Sequence, residues 1–436
     1  MILTVRFVVA VAAGAAMIGF SGRAPVLAAV GSAVIALAVA AAALDWIRLT
    51  RGTALEVVRE CDDKLSLGAR NPVRLKLRNP SQARLRGRVR DDYPVGIAAD
   101  GEEGDFAQEP RSEIEFVYHL TPSRRGDFEF GDIYVRIVGP MRMAVRQLRF
   151  AARRHVKVYP NLLDVRRYDA GLRRQRPVQP GRRATRIYGR GTDFESLRDY
   201  LPDDELHAVD WKATAKRGRL TTRQYQQEKS QNVLVALDCG RTMGPVIDGL
   251  TRLDHAVNAA MMLAHVAAVR GDRVGMLAFG DDVRVFAPPR PGRSQTIRLL
   301  SLAYNLRDAS GDSNYARAFA YLSRKWTRRS LLVVFADFAD PESAMPLVSQ
   351  ISGLTQKHVC MVAAMTDQSV MHCAYGAPEG VEDAFRAAAA RQSVEARQRV
   401  SAQLAGAGAI VLDIAPGDFT PSVVERYLDI KSRALL

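Results

Sequence analysis

Two long apolar stretches near the start of the chain predict membrane-spanning helices. Phe7 to Phe20 is apolar throughout, and Ala24 to Leu44 contains 21 residues without a charge. A helix needs about 20 apolar residues to cross a bilayer, and the second stretch reaches that length. The polar break from Ser21 to Pro25 predicts a tight turn between the two. Residues 1–50 are therefore predicted to form a two-helix transmembrane hairpin, with a cleaved signal peptide as the alternative.

Flanking charge predicts which side of the membrane the rest of the chain occupies. Arg48 and Arg51 follow the second apolar stretch, whereas the short loop between the stretches holds one basic residue, Arg23. Basic residues are enriched on the cytoplasmic side, so both ends of the hairpin are predicted to be cytoplasmic. The four cysteines have no disulfide or metal-binding spacing, which agrees with a reducing compartment. The sequence predicts a multi-pass protein of the cell inner membrane with soluble domains in the cytoplasm.

Short alternating runs occupy the region from residue 51 to residue 165. Val73 to Arg78 alternates apolar and basic residues, Glu113 to Tyr118 repeats that period, and Ile133 to Ile137 continues it. A period of two is typical of half-buried strands, and proline-containing turns separate the runs. Residues 51–165 are predicted to form a small β-sandwich-like domain with antiparallel strands, which acts in packing or as an adaptor.

The segment 166–190 is predicted to be a basic linker. It is rich in arginine, contains Pro177 and Pro180, and has no acidic residue after Asp169. Such a segment is either solvated or bound to phosphates or lipid headgroups, and the sequence leaves both readings open.

Beyond residue 191, apolar runs of strand length alternate with stretches of helical period. Val233–Leu237 and Leu331–Phe335 are continuous apolar runs, as strands covered on both faces require. Leu253 to Val269 places its alanines on one helical face, and a long alanine- and arginine-rich helix is predicted from Glu382 to about Leu404. Strands that alternate with helices predict an α/β fold with a doubly wound, mostly parallel sheet.

The chain carries a net charge of +15, which would suit nucleic acid or anionic lipid. The arginines are spread along the chain and no nucleic-acid-binding module is recognisable, so no specific nucleic acid is expected. The sequence also lacks a Walker-type phosphate loop, a Gly-x-Ser-x-Gly nucleophile elbow and a His-Glu-x-x-His zinc motif. These enzyme classes are excluded, and the protein is predicted not to be an enzyme.

Three loops at the predicted carboxyl edge of the sheet carry oxygen-bearing side chains. Asp238 and Thr242 follow the first apolar strand, Ser313 lies in a later loop, and Asp337 follows the next strand. Ligands of open α/β sheets bind at this edge, and carboxylate and hydroxyl oxygens are the ligands that Mg²⁺ prefers. The sequence therefore predicts a magnesium site there.

Five segments carry a more particular pattern. They are Gly191–Tyr200, Asp204–Trp211, Asp238–Met243, Arg252–Asp254 and Gly271–Gly275. In this order they resemble a bacterial family known as "domain of unknown function 58", whose C-terminal part looks like a von Willebrand factor A domain. The resemblance covers essentially the whole chain. It implies that residues 191–436 form the family's signature segment and a von Willebrand factor A-like domain.

The resemblance also implies a metal-ion-dependent adhesion site, from which this chain departs at one position. Such sites use two serine hydroxyls, one threonine hydroxyl and two carboxylates. Gly240 stands at the first serine position, Thr242 keeps the second hydroxyl, and Ser313 stands in for the threonine. Asp238 and Asp337 match the carboxylates. The site is therefore degenerate: either water completes the coordination of Mg²⁺, or Asp238 caps the following turn through backbone N–H groups.

Five further residues belong to the signature: Glu195, Arg198, Tyr200, Asp210 and Trp211. They are candidates for partner binding, with a buried polar network or the anchoring of the segment to the sheet as the structural alternatives. A second departure lies in the Asp204–Trp211 segment, where His207 replaces the family's arginine.

The function implied by the resemblance is that of a non-enzymatic, membrane-anchored protein-interaction module. Its partner would be a MoxR-type AAA+ ATPase, and the pair would assemble or activate protein complexes in a chaperone-like way. A carboxylate of the partner would complete the coordination of a divalent metal held by Asp238, Thr242, Ser313 and Asp337. Two alternatives stay open from the sequence: a membrane-linked metal-dependent hydrolase that uses Asp238 and Asp337, and a scaffold that binds lipid or nucleic acid through its basic charge.

Overall fold

The computed structural model describes residues 2–51, 54–161, 193–201, 209–226, 230–338 and 341–433. They belong to two compact units, Met1–Leu163 and Asp164–Leu436. The predicted basic linker, 166–190, lies outside the described residues. The predicted mixed α/β organisation with a β-rich N-terminal part is confirmed.

The first unit combines two N-terminal helices with a β-rich domain. The helices are α1, Val5–Gly19, and α2, Val26–Arg51. The described strands, β1 to β12 in chain order, are Ile2–Leu3, Glu56–Glu60, Lys64–Ser66, Asn71–Arg78, Leu85–Asp91, Ala98–Asp100, Glu103–Gln108, Glu113–Thr121, Gly126–Phe130, Ile133–Val138, Ala144–Phe150 and Arg154–Tyr159.

These strands form sheets in the orders β1-β11-β10-β5-β7, β2-β4-β8-β6 and β3-β12-β9. Their pairings are antiparallel except between β3 and β12. In β4, the alternation expected from the sequence is present: Val73, Leu75 and Leu77 are fully buried, and the residues between them face outward. The period of two therefore sets which face of each strand enters the core.

Within the described residues, α2 is the helix that is long and apolar enough to cross a membrane. It has 26 residues, whereas α1 has 15. The two helices contact each other through Gly14 and Gly31. A Cβ atom on Gly14 would lie 2.9 Å from the carbonyl oxygen of Gly31, and one on Gly31 would lie 2.6 Å from that of Gly14. Only glycines permit this close backbone approach.

Asp45, near the end of α2, fixes the helix to the β-rich domain. Its side chain is fully buried and accepts hydrogen bonds from the backbone N–H groups of Met141 and Met143, each at 2.9 Å, and of Ala144. The start of α1 meets the same turn, because the N–H of Thr4 donates to the carbonyl of Met143 at 3.1 Å. Both helices are thus tied to the turn between β10 and β11.

The second unit contains a small β-ribbon and a large sheet with helices on both faces. The described strands, β13 to β22, are Asp193–Asp199, Thr221–Gln226, Asn232–Asp238, Val246–Ile247, Leu250–Thr251, Arg273–Phe279, Val283–Arg290, Leu331–Phe335, Val359–Met365 and Ile410–Ile414. The described helices, α3 to α10, are Trp211–Arg217, Arg252–Val269, Arg293–Tyr304, Tyr315–Lys325, Pro341–Leu354, Gln368–Tyr375, Val381–Gly406 and Pro416–Ser432.

The large sheet has the order β19-β18-β15-β20-β21-β22. Its pairings are parallel except at the edge strand β19, which is antiparallel to β18. Alternate residues of β15 enter opposite cores: Val233, Val235 and Leu237 pack with α4 and α10, whereas Leu234 and Ala236 pack with α6 and α7. A strand buried on both faces explains the continuous apolar run in the sequence.

The Gly271–Gly275 segment of the signature is explained by packing at the opposite, amino edge of the sheet. Gly271 has a φ of +86°, which favours glycine. Asp272 is fully buried and accepts hydrogen bonds from the hydroxyl of Tyr427 at 2.5 Å and the ammonium group of Lys431 at 2.6 Å. A Cβ atom on Gly275 would lie 2.7 Å from the carbonyl oxygen of Ala287. The segment therefore holds α10 and β19 in place.

Replacing Asp45 with alanine is expected to destabilise the first unit. Three buried backbone N–H groups would lose a charged acceptor, at a cost of about 2–4 kcal/mol. Thermal unfolding of the full chain in detergent measures the effect. Asp105→Ala is the matched control, because Asp105 forms an exposed ion pair with Arg88 on the same domain and should change the midpoint little. Equal midpoints for the two variants would contradict the role of Asp45.

Candidate functional site

Asp238 lies at the point of the large sheet where the strand order reverses. It ends β15, which has β18 on one side and β20 on the other. Loops that leave neighbouring strands in opposite directions open a crevice at such a point, and ligands of doubly wound sheets bind there. The structure therefore places the predicted first carboxylate at the centre of the carboxyl edge.

Three donors surround the carboxylate of Asp238. Oδ1 accepts hydrogen bonds from the backbone N–H of Gly240 at 2.7 Å and from the hydroxyl of Ser313, and Oδ2 accepts one from the hydroxyl of Tyr315 at 2.5 Å. Asp238 is fully buried, and burial raises its pKa even though these three donors act in the opposite direction. The bond from Gly240 is the turn-capping contact that the sequence left open.

Gly240 leaves the space through which the hydroxyl of Ser313 reaches the carboxylate of Asp238. A Cβ atom on Gly240 would lie 2.5 Å from Oγ of Ser313 and 3.2 Å from Oδ1 of Asp238. A serine at this position would therefore push Ser313 away from the carboxylate. The direct Ser313–Asp238 hydrogen bond therefore depends on the absence of the serine that the metal-site pattern has at position 240.

Asp337, the second predicted carboxylate, is held by two arginines. It is buried; its Oδ2 accepts from Nη1 of Arg252 at 2.5 Å, and its Oδ1 accepts from Nη1 of Arg397 at 2.8 Å. Arg397 also pairs with Asp413 at 2.7 Å and lies over the ring of Phe338, 4.7 Å from its centroid. Both oxygens of Asp337 are thus engaged by guanidinium groups.

Arg252 is the first residue of α4, and the local sequence fixes it there. The hydroxyl of Thr251 caps the helix by accepting from the N–H of Asp254 at 3.0 Å, and it donates to the Asp254 carboxylate at 2.8 Å. Nη1 of Arg252 also approaches the carbonyl of Thr242 at 3.4 Å. Its Nε is buried and has no acceptor among the described residues.

A cavity of ≈ 230 Å³ lies beside the two arginines. Its lining includes Arg252, Arg397, Asp367 and Asp413, together with the apolar side chains of Met371 and Val394. The wall therefore combines both signs of charge with apolar surface, and it carries no single-sign field.

The donor set does not fit a divalent cation in this arrangement. Asp238 already accepts three hydrogen bonds, both oxygens of Asp337 face guanidinium groups, and Gly240 supplies no side-chain oxygen. Thr242 is half-buried and is the predicted ligand left. In the part of the chain that is described, no group of three or more His, Cys, Asp or Glu side chains is placed to hold a metal. Magnesium binding stays a prediction from the sequence.

The signature residues are only partly described. Glu195 and Arg198 lie on β13, and their side chains are outside the described set, as is His207. The N–H of Tyr200 donates to the carbonyl of Leu220 at 3.0 Å. Asp210 caps α3 by accepting from the N–H groups of residues 212 and 213, and Trp211 is 65% exposed.

Four contributors to the site escaped the sequence reasoning. Tyr315 and Arg397 lie on helices distant in sequence from the carboxylates they contact, and Asp413 lies within the last strand. Arg252 belongs to a segment that the sequence singled out, but its contact with Asp337 was not predicted. A search for basic residues that could compensate the two buried carboxylates would have pointed to it.

Replacing Asp238 should separate its structural role from its charge. Asp238→Ala leaves the buried hydroxyl of Tyr315 and that of Ser313 without their acceptor and should lower the free energy of unfolding by about 2–4 kcal/mol. Asp238→Asn keeps an acceptor for Gly240 and Ser313 and removes a buried charge, and its amide N–H can donate to the hydroxyl oxygen of Tyr315, so it should lose clearly less stability than the alanine variant at neutral pH. Denaturant unfolding of both variants checks this. If the Asn variant lost as much stability as the Ala variant, the negative charge itself would be required.

Comparison with known proteins finds one family and several uncharacterised relatives similar to part of the chain. Residues 196–398, a little under half of the chain, match the family described as "Protein of unknown function DUF58". The chain is 22% identical to "Uncharacterized protein YeaD" of Bacillus subtilis (strain 168) over 241 residues, which cover 52% of this chain and 56% of that protein. It is 25% identical to "Uncharacterized protein Rv1480" of Mycobacterium tuberculosis (strain ATCC 25618 / H37Rv) over 157 residues, 36% of this chain and 50% of the relative.

The chain spans about half the length of the curated relatives it matches. Among solved structures, an "Uncharacterized Membrane Spanning Protein from Vibrio fischeri" is similar over 46% of this chain and 98% of its own, at 11% identity and a TM-score of 0.18. The CARDB domain of the PF1109 protein from Pyrococcus furiosus covers 24% of this chain and 94% of its own, at 15% identity and a TM-score of 0.19. Scores this low carry no argument about the fold, and the main finding of the comparisons is that residues 196–398 are similar to the DUF58 family.

Proposed function

We propose that the chain is a membrane-anchored protein-interaction module that docks its partner at the carboxyl edge of the large sheet. The two loops that form this edge, residues 239–245 and 307–314, are called here the edge loops. The proposal rests on one observation above all: these loops are joined to each other and to the sheet by hydrogen bonds, so the surface they present is formed in advance.

The joining contacts are both backbone and side-chain bonds. The N–H of Arg241 donates to the carbonyl of Gly311 at 2.9 Å, and the N–H of Ala309 donates to the carbonyl of Cys239 at 2.7 Å. The exposed side chains of Arg241 and Asp312 pair across the loops. A surface that is already ordered loses little conformational entropy when a partner binds, which favours recognition by docking.

A von Willebrand factor A-like fold for the second unit is part of this proposal. Numbered from β15 as the first strand, the large sheet has the order 3-2-1-4-5-6, with the antiparallel strand at one edge. This order is that of a doubly wound sheet with one ligand crevice at the switch point. It supports the resemblance on which the interaction function depends.

The proposed partner is a MoxR-type AAA+ ATPase, which would supply the nucleotide hydrolysis that this chain is not expected to perform. The pair would assemble or activate protein complexes in a chaperone-like way. This partner class comes from the signature segments of the sequence, and the edge loops are the surface at which we expect it to bind.

We further propose that α1 and α2 form a transmembrane hairpin with the rest of the chain in the cytoplasm. From Val26 to Asp45, α2 extends roughly 30 Å at about 1.5 Å per residue, which equals the hydrocarbon thickness of a bilayer. Asp45 is bound to the β-rich domain, so it marks the end of the apolar span. Arg48 and Arg51 follow directly and favour the cytoplasmic side.

Charge reversal at the edge loops should strongly reduce partner capture. Full-length tagged chain, purified from membranes of its native host, is expected to recover an AAA+ ATPase identified by mass spectrometry. Arg241→Glu should reduce the recovery at least about tenfold, because it places two like charges side by side at the docking surface. Arg386→Glu is the matched control, since Arg386 forms an exposed pair with Glu382 on α9.

The outcomes of this experiment separate the parts of the proposal. Equal recovery with Arg241→Glu and Arg386→Glu would show that the edge loops are not the docking surface. Failure of the unmodified chain to recover any AAA+ ATPase would overturn the partner class.

Thiol labelling should reveal the topology. Gly22 lies in the turn between α1 and α2, and a Cβ atom added to it would meet no other atom within 4 Å, so Gly22→Cys should not disturb the fold. A membrane-impermeant maleimide, added to cells whose inner membrane is intact, is expected to label the new thiol. Cys373, which is exposed in the second unit, should react only after lysis, whereas buried Cys360 should stay unreactive because burial raises its pKa to about 12. Labelling of Cys373 before lysis would contradict a cytoplasmic second unit.

A further inference from the structure

We infer that Arg252 is a built-in counter-cation, whose guanidinium group takes the place of a divalent metal ion at the carboxyl edge of the large sheet. The inference concerns the ion content of the edge and does not depend on which partner docks there. Four observations on the described residues carry it.

The first observation is that two carboxylates are buried at the ends of neighbouring strands. Asp238 is fully buried and Asp337 is 3% exposed, and they follow Leu237 and Phe335, which lie opposite each other in the parallel pair of β15 and β20. Buried carboxylates are strongly destabilising unless a positive charge or several donors compensate them. A metal ion between the carboxylates is one solution, and a guanidinium group with hydroxyl donors is another.

The second observation is the position of Arg252 at the start of α4. A positive charge at a helix N-terminus is unfavourable, because the helix dipole is positive there. Arg252 nevertheless lies at this end with only 12% of its side chain exposed, paired with a side chain of Asp337 that is 1% exposed. The ion pair with Asp337 accounts for an arginine at a place where the helix alone would disfavour it.

The third observation is that Arg397 donates to the second carboxylate oxygen of Asp337. It comes from α9, far along the chain, and it is also 12% exposed. It bridges Asp337 and Asp413 and donates to the carbonyl of Met365 at 2.7 Å. A divalent ion at Asp337 would have to displace one of two buried, hydrogen-bonded guanidinium groups.

The fourth observation is that Asp238 is hydrogen-bonded by neutral hydroxyl groups, which the absence of a side chain at Gly240 allows. Because Gly240 has no side chain, the hydroxyl of Ser313 reaches Asp238 and donates to it. The hydroxyl of Tyr315 donates to the other oxygen. Asp238 is therefore satisfied by neutral donors and Asp337 by arginines, which leaves neither carboxylate in need of a metal.

The test is thermal unfolding of the full chain in detergent, with MgCl₂, with MnCl₂ and with EDTA. At about 5 mM of either metal, the midpoint of the wild type should shift by less than about 1 °C, because a ligand that does not bind the folded state cannot stabilise it. Arg252→Met keeps the length of the side chain and removes its charge. Its midpoint should fall, and MnCl₂ should restore at least about 4 °C.

Two further variants complete the design. Arg241→Met removes an exposed arginine from the same edge and should show no response to MnCl₂. Arg252→Lys keeps a positive charge, so it should fold and its midpoint should not respond to MnCl₂. If Arg252→Met does not fold, a second measurement on the wild type tests the inference. Electron paramagnetic resonance measures the concentration of free Mn²⁺ in the presence of the wild-type chain. We expect no stoichiometric decrease in free Mn²⁺.

Two results would overturn the inference. A wild-type chain that binds about one equivalent of Mn²⁺, or whose midpoint rises with MgCl₂ and falls with EDTA, would hold a metal where we place a guanidinium group. A folded Arg252→Met variant that gains no response to Mn²⁺ would show that the arginine does not stand in a metal's position. Neither result bears on whether an AAA+ ATPase docks at the edge loops.

Discussion

The hydrogen bonds to the buried carboxylate of Asp238 are the interaction on which the carboxyl edge depends. A carboxylate without water must find its donors in the protein, and here they come from the turn after β15, from the loop before α6 and from α6 itself. Each bond fixes a different segment against the central strand. The edge loops hold one shape because they share this acceptor. The exposed Arg241–Asp312 pair joins loops whose positions are already fixed by the buried hydrogen bonds.

The two buried carboxylates of this edge are stabilised in different ways. Asp238 is surrounded by hydroxyl and amide donors, so its charge is solvated by dipoles and burial raises its pKa. Asp337 is paired with two guanidinium groups that come from α4 and α9. The second arrangement connects four elements of the fold, since Arg397 reaches β22 as well. Loss of one arginine would leave a buried charge, which is far more costly than loss of an exposed ion pair.

Periodicity in the sequence predicted the elements of the second unit well because its sheet is buried on both faces. Val233–Leu237 was predicted as a strand and is part of Asn232–Asp238, and the helix predicted from Leu253 begins one residue earlier. The short helix α8, Gln368–Tyr375, was not predicted, because eight residues give too little periodicity to detect. Such patterns depend on local repetition, which a short amphipathic turn does not provide.

The candidate site was predicted less completely, and the reason is that its contacts are distant in sequence. Strand ends located Asp238 and Asp337, and a loop between elements located Ser313. The donors that surround them, Tyr315 and Arg397, are 77 and 60 residues away from their acceptors. One sequence contains no signal for such pairing. The predicted Mg²⁺ ligands were chosen by their position at the sheet edge, their oxygen atoms and the resemblance, and none of these reveals which oxygens already accept hydrogen bonds.

The junction at Asp45 has a mechanical consequence. A helix that enters a domain through a flexible linker can swivel, so movements in the lipid are not transmitted to the domain. Here the last turns of α2 are bound by a buried carboxylate to the turn between β10 and β11, and Thr4 ties the start of α1 to the same turn. The two helices and the β-rich domain are therefore expected to move together. With both helices in a bilayer, as proposed above, a change in membrane thickness would change the tilt of the β-rich domain together with that of its helices.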